Sequence, residues 1–572
     1  MQRRALALIL MLSACGGDDD DGGGDGAAID AGGGGAADAA AADAAAPGPD
    51  GGVPPDAGAL PDAGALPDAG ILPDGGGAPD AAHGMAIDAI VVDGEFTQVR
   101  QGSEVDVVVT GSGLAGVTDV VLGEGLDLYP GTLVVSDGEV SFTMWVSDAT
   151  APGPAELTLT GSDGSATAAV PVTPWVVQAG AGLGGRGTYE SPMSLCEEAL
   201  SYASGGARVE LSAGEHVCAV VNIGPVSEIV GQGIDQTIVR AGGFSVEGSA
   251  SATLILTLRD LRLIGAGPAP DAMVLGGSTD LFDVTVEGLG LLVLGQDNQV
   301  SMERVVVAGR AGADCVAVNQ SASLSMTDVE LSGCRHGVAI PFGGLELAGA
   351  TITGCEVGIF LGSPPVVPPP FEILGASISD VELIDNQVGL RQLFGDASAT
   401  DLAIHGASMG PVLADAGIEI GRGDLEVTGL VVDGVRHGID ADTIVSDDFD
   451  NHVGLTIDAS LIEGGEVGLD VHGDVDGASA TLTGSVVRDQ SEAAVRLDAF
   501  NRDSSFFLTD NVLSVTGGHA LDDVRVKAFA AEPIDARGTT LNGNAYDGQL
   551  IQGPVEIGAD LRIASSDGLV QF

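Results

Sequence analysis

Residues 425–441 read LEVTGLVVDGVRHGIDA, and the spacing of their apolar residues decides the fold. Val427, Leu430, Val432, Ile439 and Ala441 form an inward set interrupted by turn residues. Alternation at period two indicates strands, because successive side chains leave opposite faces. The pattern returns without a gap in residues 324–340 (LSMTDVELSGCRHGVAI), 345–361 (LELAGATITGCEVGIFL), 376–392 (ASISDVELIDNQVGLRQ) and 455–471 (LTIDASLIEGGEVGLDV). Each copy predicts three very short strands with sharp bends between them. A glycine or its equivalent falls at Gly337, Gly358, Gly389, Gly417, Gly438, Gly468, Ala494 and Ala520. It reads as a bend residue, whose backbone angles a residue with a Cβ reaches only with strain.

No copy can bury its inward side chains alone, whereas stacked copies share one continuous core. The repeat lacks the Asn position of a leucine-rich repeat and is too short to hold a helix per turn. The expected fold class is all-β: a right-handed parallel β-helix over 174–572. On these copies the last two thirds of the chain resembles the pectate-lyase-like β-helix families. That resemblance implies a fold and leaves the function open.

Near the start of the sequence Arg3 and Arg4 precede an apolar run from Ala5 to Leu12, then Leu12-Ser13-Ala14-Cys15. A basic start and a short apolar stretch form a secretory signal (1–15), too short to span a membrane as a helix. The ending resembles the bacterial lipobox, which implies lipidation of Cys15 and a place at the outer membrane or cell surface. Residues 16–85 hold 14 Asp and no Lys or Arg, with Pro55, Pro61, Pro67, Pro73 and Pro79 six residues apart. Such a stretch cannot build a core and reads as a disordered, self-repelling tether.

From 86 to 173 alternating strands such as Val105 to Thr110 and Glu156 to Thr160, with Gly-Ser and Pro-Gly turns, predict a small β-sandwich. The turn TGSGL and the run APGPAELTLT are similar to the IPT/TIG immunoglobulin-like family, which implies a spacer or interaction module. Next, Ser191 as N-cap, Pro192 in the first turn and Leu195, Ala199, Leu200 and Ala203 on one face predict a short helix. That helix would cover the open end of the stack. The segment resembles the leading segment of many secreted β-helices, with His216 where an aromatic residue is expected.

Formal charge is -61, from 82 acidic and 21 basic residues, with Lys527 the lone lysine. The surface repels nucleic acid and anionic lipid and favours cations. A GC-rich genome or a salt-adapted host produces the same usage without any ligand. Spacings between the turn residues are 21, 31, 28, 21, 30, 26 and 26. The surplus beyond 21 reads as loops after the turns at Gly358, Gly389, Gly438, Gly468 and Ala494. Loops inserted at one corner of successive coils mark a binding face.

Those loops would gather Asp447, Asp448, Asp450, Asp474 and Asp476, a set suited to Ca²⁺, near Asp440, Asp442 and Asp470. Phe371, Phe449, Phe500, His452 and His472 would line a ligand groove beside them. Acidic lids on an acidic protein are the plainer alternative. Among the cysteines, Cys196 and Cys218 flank the capping helix and the first strand and are expected to pair. Cys334 and Cys355 sit at the same place in adjacent coils, about 4.8 Å apart. They are either a disulfide or stacked buried thiols, and with Cys315 at least one thiol stays free.

The β-helix polysaccharide hydrolases use clustered Asp, a His-containing turn and a downstream basic pair. Here Asp447-Asp448, Arg436-His437-Gly438 and Arg525-Val526-Lys527 offer such parts, in the reverse order and without a first Asp motif. Arg335-His336-Gly337 repeats the turn in another coil, which marks it as turn chemistry. Two readings stand. The favoured one is a lipid-anchored surface protein whose β-helix is a non-catalytic binding or structural rod for polysaccharide or a surface protein. The other is an extracytoplasmic polysaccharide lyase or glycoside hydrolase.

Overall fold

The computed structural model describes residues 84–572 except 183, 204–205, 219–220, 224–227, 247–254, 266–271, 296–297, 320–321, 363–372, 407–412, 443–451, 474–477, 500–503 and 526–532. The chain divides into Met1–Pro79 and Asp80–Phe572, and the described residues belong to the second unit. They are almost entirely β, with one α-helix, Cys196–Tyr202.

Alternation in residues 86–173 produces two sheets. One joins Ala86–Val92, Ser103–Ser112, Glu139–Val146, Leu126–Leu128 and Val134–Val135; the other joins Val99–Arg100, Gly164–Thr173, Gly153–Gly161 and Val117–Leu122. Val107, Val109, Phe142 and Met144 of the first share a core with Leu157, Leu159 and Val170 of the second. The sandwich meets the rest through Arg100, whose guanidinium lies 3.6 Å over the Trp175 ring. Arg186 pairs with Asp93, and Glu190 accepts hydrogen bonds from the backbone and side chain of Thr97.

Beyond Trp175 the chain is a parallel β-helix. In the deciding stretch the coil runs through the strands Gly423–Thr428, Val431–Asp433 and Val435–Asp442. The next coil repeats it in parallel register, with Leu425 beside Leu455, Val432 beside Ile462 and Ile439 beside Leu469. Val427, Leu430, Val432, Ile439 and Ala441 are all buried. Among the described residues the first two strands of the coils contribute to a 28-stranded sheet and the third to a 15-stranded sheet.

Two local expectations are corrected. Gly337, Gly358, Gly389, Gly417, Gly438 and Gly468 lie inside the third strands and are not among the residues with positive φ. Their reason is space: a Cβ on Gly438 would stand 2.5 Å from the Gly468 carbonyl oxygen, and the other five face the same approach at 2.5–2.6 Å. The left-handed bends fall elsewhere, at Asp328 and Gly429 between the first and second strands and at Asp401 within the strand Ala397–His405. Asp tolerates that region better than most side chains do. The helix also starts later than its cap signal implied. Leu195 occupies the N-cap position without a side-chain hydrogen bond, while the Ser191 hydroxyl accepts from the Arg186 N–H at 3.2 Å.

Cys196 and Cys218 are bridged, with 6.0 Å between Cα atoms. The second bridge joins Cys315 to Cys334, 5.5 Å apart, so Cys334 does not pair with Cys355. Cys355 remains a buried free thiol, and burial raises its pKa. At the C-terminal end the stack closes with antiparallel pairs, including Leu550–Gln552 with Leu569–Gln571. The Tyr546 and Phe572 rings meet there at 5.1 Å.

Candidate functional site

Two residues after the tight glycine, or after the residue in its place, the third strands align a further column in parallel register. It runs Ala339, Phe360, Arg391, Glu419, Asp440, Asp470, Arg496, Asp522 and Arg562, with Ala339, Asp470 and Asp522 buried and the others half-buried. The column places three acids in succession, and each has a cationic neighbour. Arg391 pairs with Glu419. His472 Nε2 lies 2.7 Å from Asp440 Oδ1, and Arg496 lies 3.6 Å from Asp470. Arg562 grips both oxygens of Asp522 at 2.6 Å.

The centre of the column has the densest chemistry. His437 Nδ1 stands 3.7 Å from Asp440 and 4.0 Å from Asp470, while His472 Nδ1 stands 3.5 Å from Asp442. Asp470 is only 5% exposed, and its Oδ1 has no hydrogen-bond partner among the described residues. Burial alone would raise the Asp440 carboxyl, but His437 and His472 outweigh it and hold the group far below the usual range. Burial wins at Asp470, whose pKa is raised despite His472, Arg496 and His437. The contact with Asp440 raises His472 to about 9, and Asp440 likewise raises His437. Two adjacent carboxyls pushed in opposite directions give one firm acceptor and one group that holds its proton more tightly.

Of the residues proposed from sequence, His472 belongs to this centre. His452 does not: it precedes the strand Val453–Asp458 of the 28-stranded sheet and lies 3.6 Å from Asp424. His472 lies in a strand of the 15-stranded sheet and His452 just before a strand of the 28-stranded one. Asp447, Asp448, Asp450, Asp474, Asp476, Phe371, Phe449 and Phe500 lie outside the described residues. Among the described residues no group of three or more His, Cys, Asp or Glu is arranged to hold a metal ion.

The insertion expected after Gly389 is also displaced. The strand Val388–Gln392 leads by a short turn into Ala397–His405. The extra residues of that coil come at 407–412, before the third strand Ala414–Ile420. Arg525, offered as part of a basic pair, is a core residue. It is 2% exposed and forms a bidentate pair with the fully buried Asp523 at 2.6 and 2.8 Å. A guanidinium held there cannot face a substrate.

Glu419, Arg496, Asp522 and Arg562 were missed as site residues, although the first three were readable. Each falls two residues after a turn position already recognised: Gly417, Ala494 and Ala520. The Arg-His turns read from sequence as local chemistry, yet both imidazoles meet carboxylates. His336 lies 2.9 Å from Asp314 and stacks on Phe360 at 4.8 Å, and His437 joins the column centre.

No protein-family model matches the chain, and no curated protein matches it. Among solved structures, the family 28 exopolygalacturonase of Yersinia enterocolitica matches at 9% identity, covering 78% of this chain and 100% of its own, with a TM-score of 0.18. A likeness at that level carries no argument about function; the coil register itself establishes the β-helix.

Proposed function

We propose that this protein is a surface-tethered β-helix that binds carbohydrate along the outward column of its 15-stranded sheet without cleaving it. The observation that carries the reading is the column itself, an extended strip of acceptors and donors centred on Asp440, Asp470 and His472. Its acids stand against Arg and His neighbours, which suits holding hydroxyl groups in place better than attacking a bond. The anchor belongs to the same proposal, supported by Leu12-Ser13-Ala14-Cys15 and the Asp- and Pro-rich stretch that follows. Purified protein should be retained on insoluble polysaccharides and release no sugar. Retention on none of a broad panel would end the binding reading. Mass spectrometry of the mature N-terminus should find an acylated Cys15, and an unmodified cysteine there removes the anchor.

The opposed pKa shifts at Asp440 and Asp470 favour a second reading, a glycoside hydrolase with Asp440 ionised and Asp470 as acid. Reducing ends that accumulate with the intact protein and vanish in Asp440→Asn would establish it in place of the first.

A further inference from the structure

A groove of about 620 Å³ runs along the other sheet, on the outer side of the first strands of six successive coils. It extends from Ile255 to Ser377, so at about 4.8 Å per coil it follows the rod for about 24 Å. Along it stands one polar side chain per coil, in parallel register: Asp280, Ser301, Ser325, Glu346 and Ser377. All five are half-buried or exposed, and none has a side-chain hydrogen bond or ion pair to another described residue. Three residues after Asp280, by contrast, Asp283 is gripped at both oxygens by Arg304, at 2.7 and 2.8 Å. Among the described residues that line the groove there is no basic and no aromatic side chain.

We propose that this groove binds a linear amino-sugar glycan whose free amines meet Asp280 and Glu346 and whose hydroxyls meet the serines between them. The site is separate from the column on the 15-stranded sheet and stands whether or not that column binds sugar. Spacing selects a polymer: the row repeats once per coil, and an extended sugar chain advances by nearly that step per residue. Charge selects its sign. A uronate or a phosphate would meet two open carboxylates and no base, in the field of a chain of net charge -61. A neutral glycan would desolvate both carboxylates and bring them no counter-charge. Burial already pushes the Asp280 carboxyl above its usual pKa, and an ammonium beside it forms a charge-assisted hydrogen bond. A basic peptide is disfavoured, because these strands pair with neighbours on both sides and leave it no edge to extend. The serine hydroxyls both donate and accept, which matches the hydroxyls of a sugar.

The test is calorimetric titration of the full chain with glucosamine hexamer in about 0.15 M salt, which screens distant charges. The hexamer should bind. Asp280→Lys and Glu346→Lys put an ammonium where the ligand's amine must sit, and each should weaken binding about tenfold or more. Ser325→Trp fills the groove without changing its charge and should abolish binding, with an unchanged melting temperature. Wild-type affinity in Ser325→Trp would show attraction by net charge alone and overturn the site. If that variant fails to fold, the two lysine variants decide, and unchanged affinity in both overturns the site. Equal affinity for the N-acetylated hexamer would overturn the amine class, and tighter binding of hexalysine would overturn the glycan. Loss of binding in Asp440→Asn instead would move the sugar to the 15-stranded sheet. A hexamer that does not bind would overturn this proposal and leave the reading of that sheet intact.

Discussion

His472 titrates where its neighbours put it. With Asp440 at 2.7 Å its pKa rises to about 9, against about 6.5 for an unperturbed imidazole. Because the folded value is the higher one, the contact stabilises the protein fully below about pH 6.5. That contribution declines between pH 6.5 and 9 and is absent above. Melting temperature should therefore fall across this window, and His472→Gln should flatten the fall. A profile identical to wild type in that variant would show that the pair contributes nothing. Asp440 has the opposite sign: its lowered pKa gives stability above about pH 4 that is lost only in stronger acid. Gly438 is a second residue-scale case. Its substitution by Ala places a Cβ 2.5 Å from a backbone oxygen, so the coil must shift. We expect a loss of about 1–3 kcal/mol in chemical denaturation. Ala494→Gly, at the equivalent place, should cost about 1 kcal/mol or less.

Among the elements, one inward column changes character along the stack. At the corner after the first strand it is Leu402 and Leu430, then Ser460, Ser485, Asn511 and Thr539. The polar members bridge coils: Leu430 N–H donates to Ser460, Ser460 N–H to Ser485, Ser485 N–H to Asn511 and Asn511 N–H to Thr539, at 2.9–3.1 Å. Asn511→Ala strips the acceptor from Ser485 and the donor from the Leu482 carbonyl. Each orphan costs about 1–3 kcal/mol, so a loss of about 2 kcal/mol or more is expected in urea unfolding. The apolar columns were legible because burial at period two leaves a repeating signature in one coil. This polar corner was not, since Ser or Asn there looks like an ordinary turn residue until the coils are stacked. The glycines were located correctly and explained wrongly, because close approach and left-handed backbone both select Gly. For the loops we propose Ca²⁺ binding, supported by Asp447, Asp448, Asp450, Asp474 and Asp476 falling within 30 residues of one another in adjacent coils. Millimolar Ca²⁺ should raise the melting temperature, and Asp448→Ala and Asp474→Ala should each reduce the rise. Calorimetry without detectable binding would leave only solvated acidic loops.

At the scale of the molecule, the sandwich and the β-helix form a single compact unit, Asp80–Phe572. The sequence marked both parts but gave no sign of the clasp between them. Arg100 on Trp175, Arg186 with Asp93 and Thr97 with Glu190 are 75, 93 and 93 residues apart. No local pattern announces contacts of that range. Arg100 shows how closely the parts meet: burial and the charge of Arg186 lower its pKa to about 10. Removing the ring with Trp175→Ala should loosen the sandwich from the first coil. Limited proteolysis near residue 174 should then be faster than in wild type, and equal rates would show the clasp to be dispensable.

The clasp has a mechanical consequence. Coil-to-coil hydrogen bonds run along the rod, so a pull on its length is shared by every strand of a coil at once. The strand Ala86–Val92 has no such company: among the described strands it is an edge, paired along its length with Ser103–Ser112. If a cell holds the chain by Cys15 while a polymer drags on the outward column, tension enters at Ala86. Under that load we expect the edge strand to peel first while the coils keep their register.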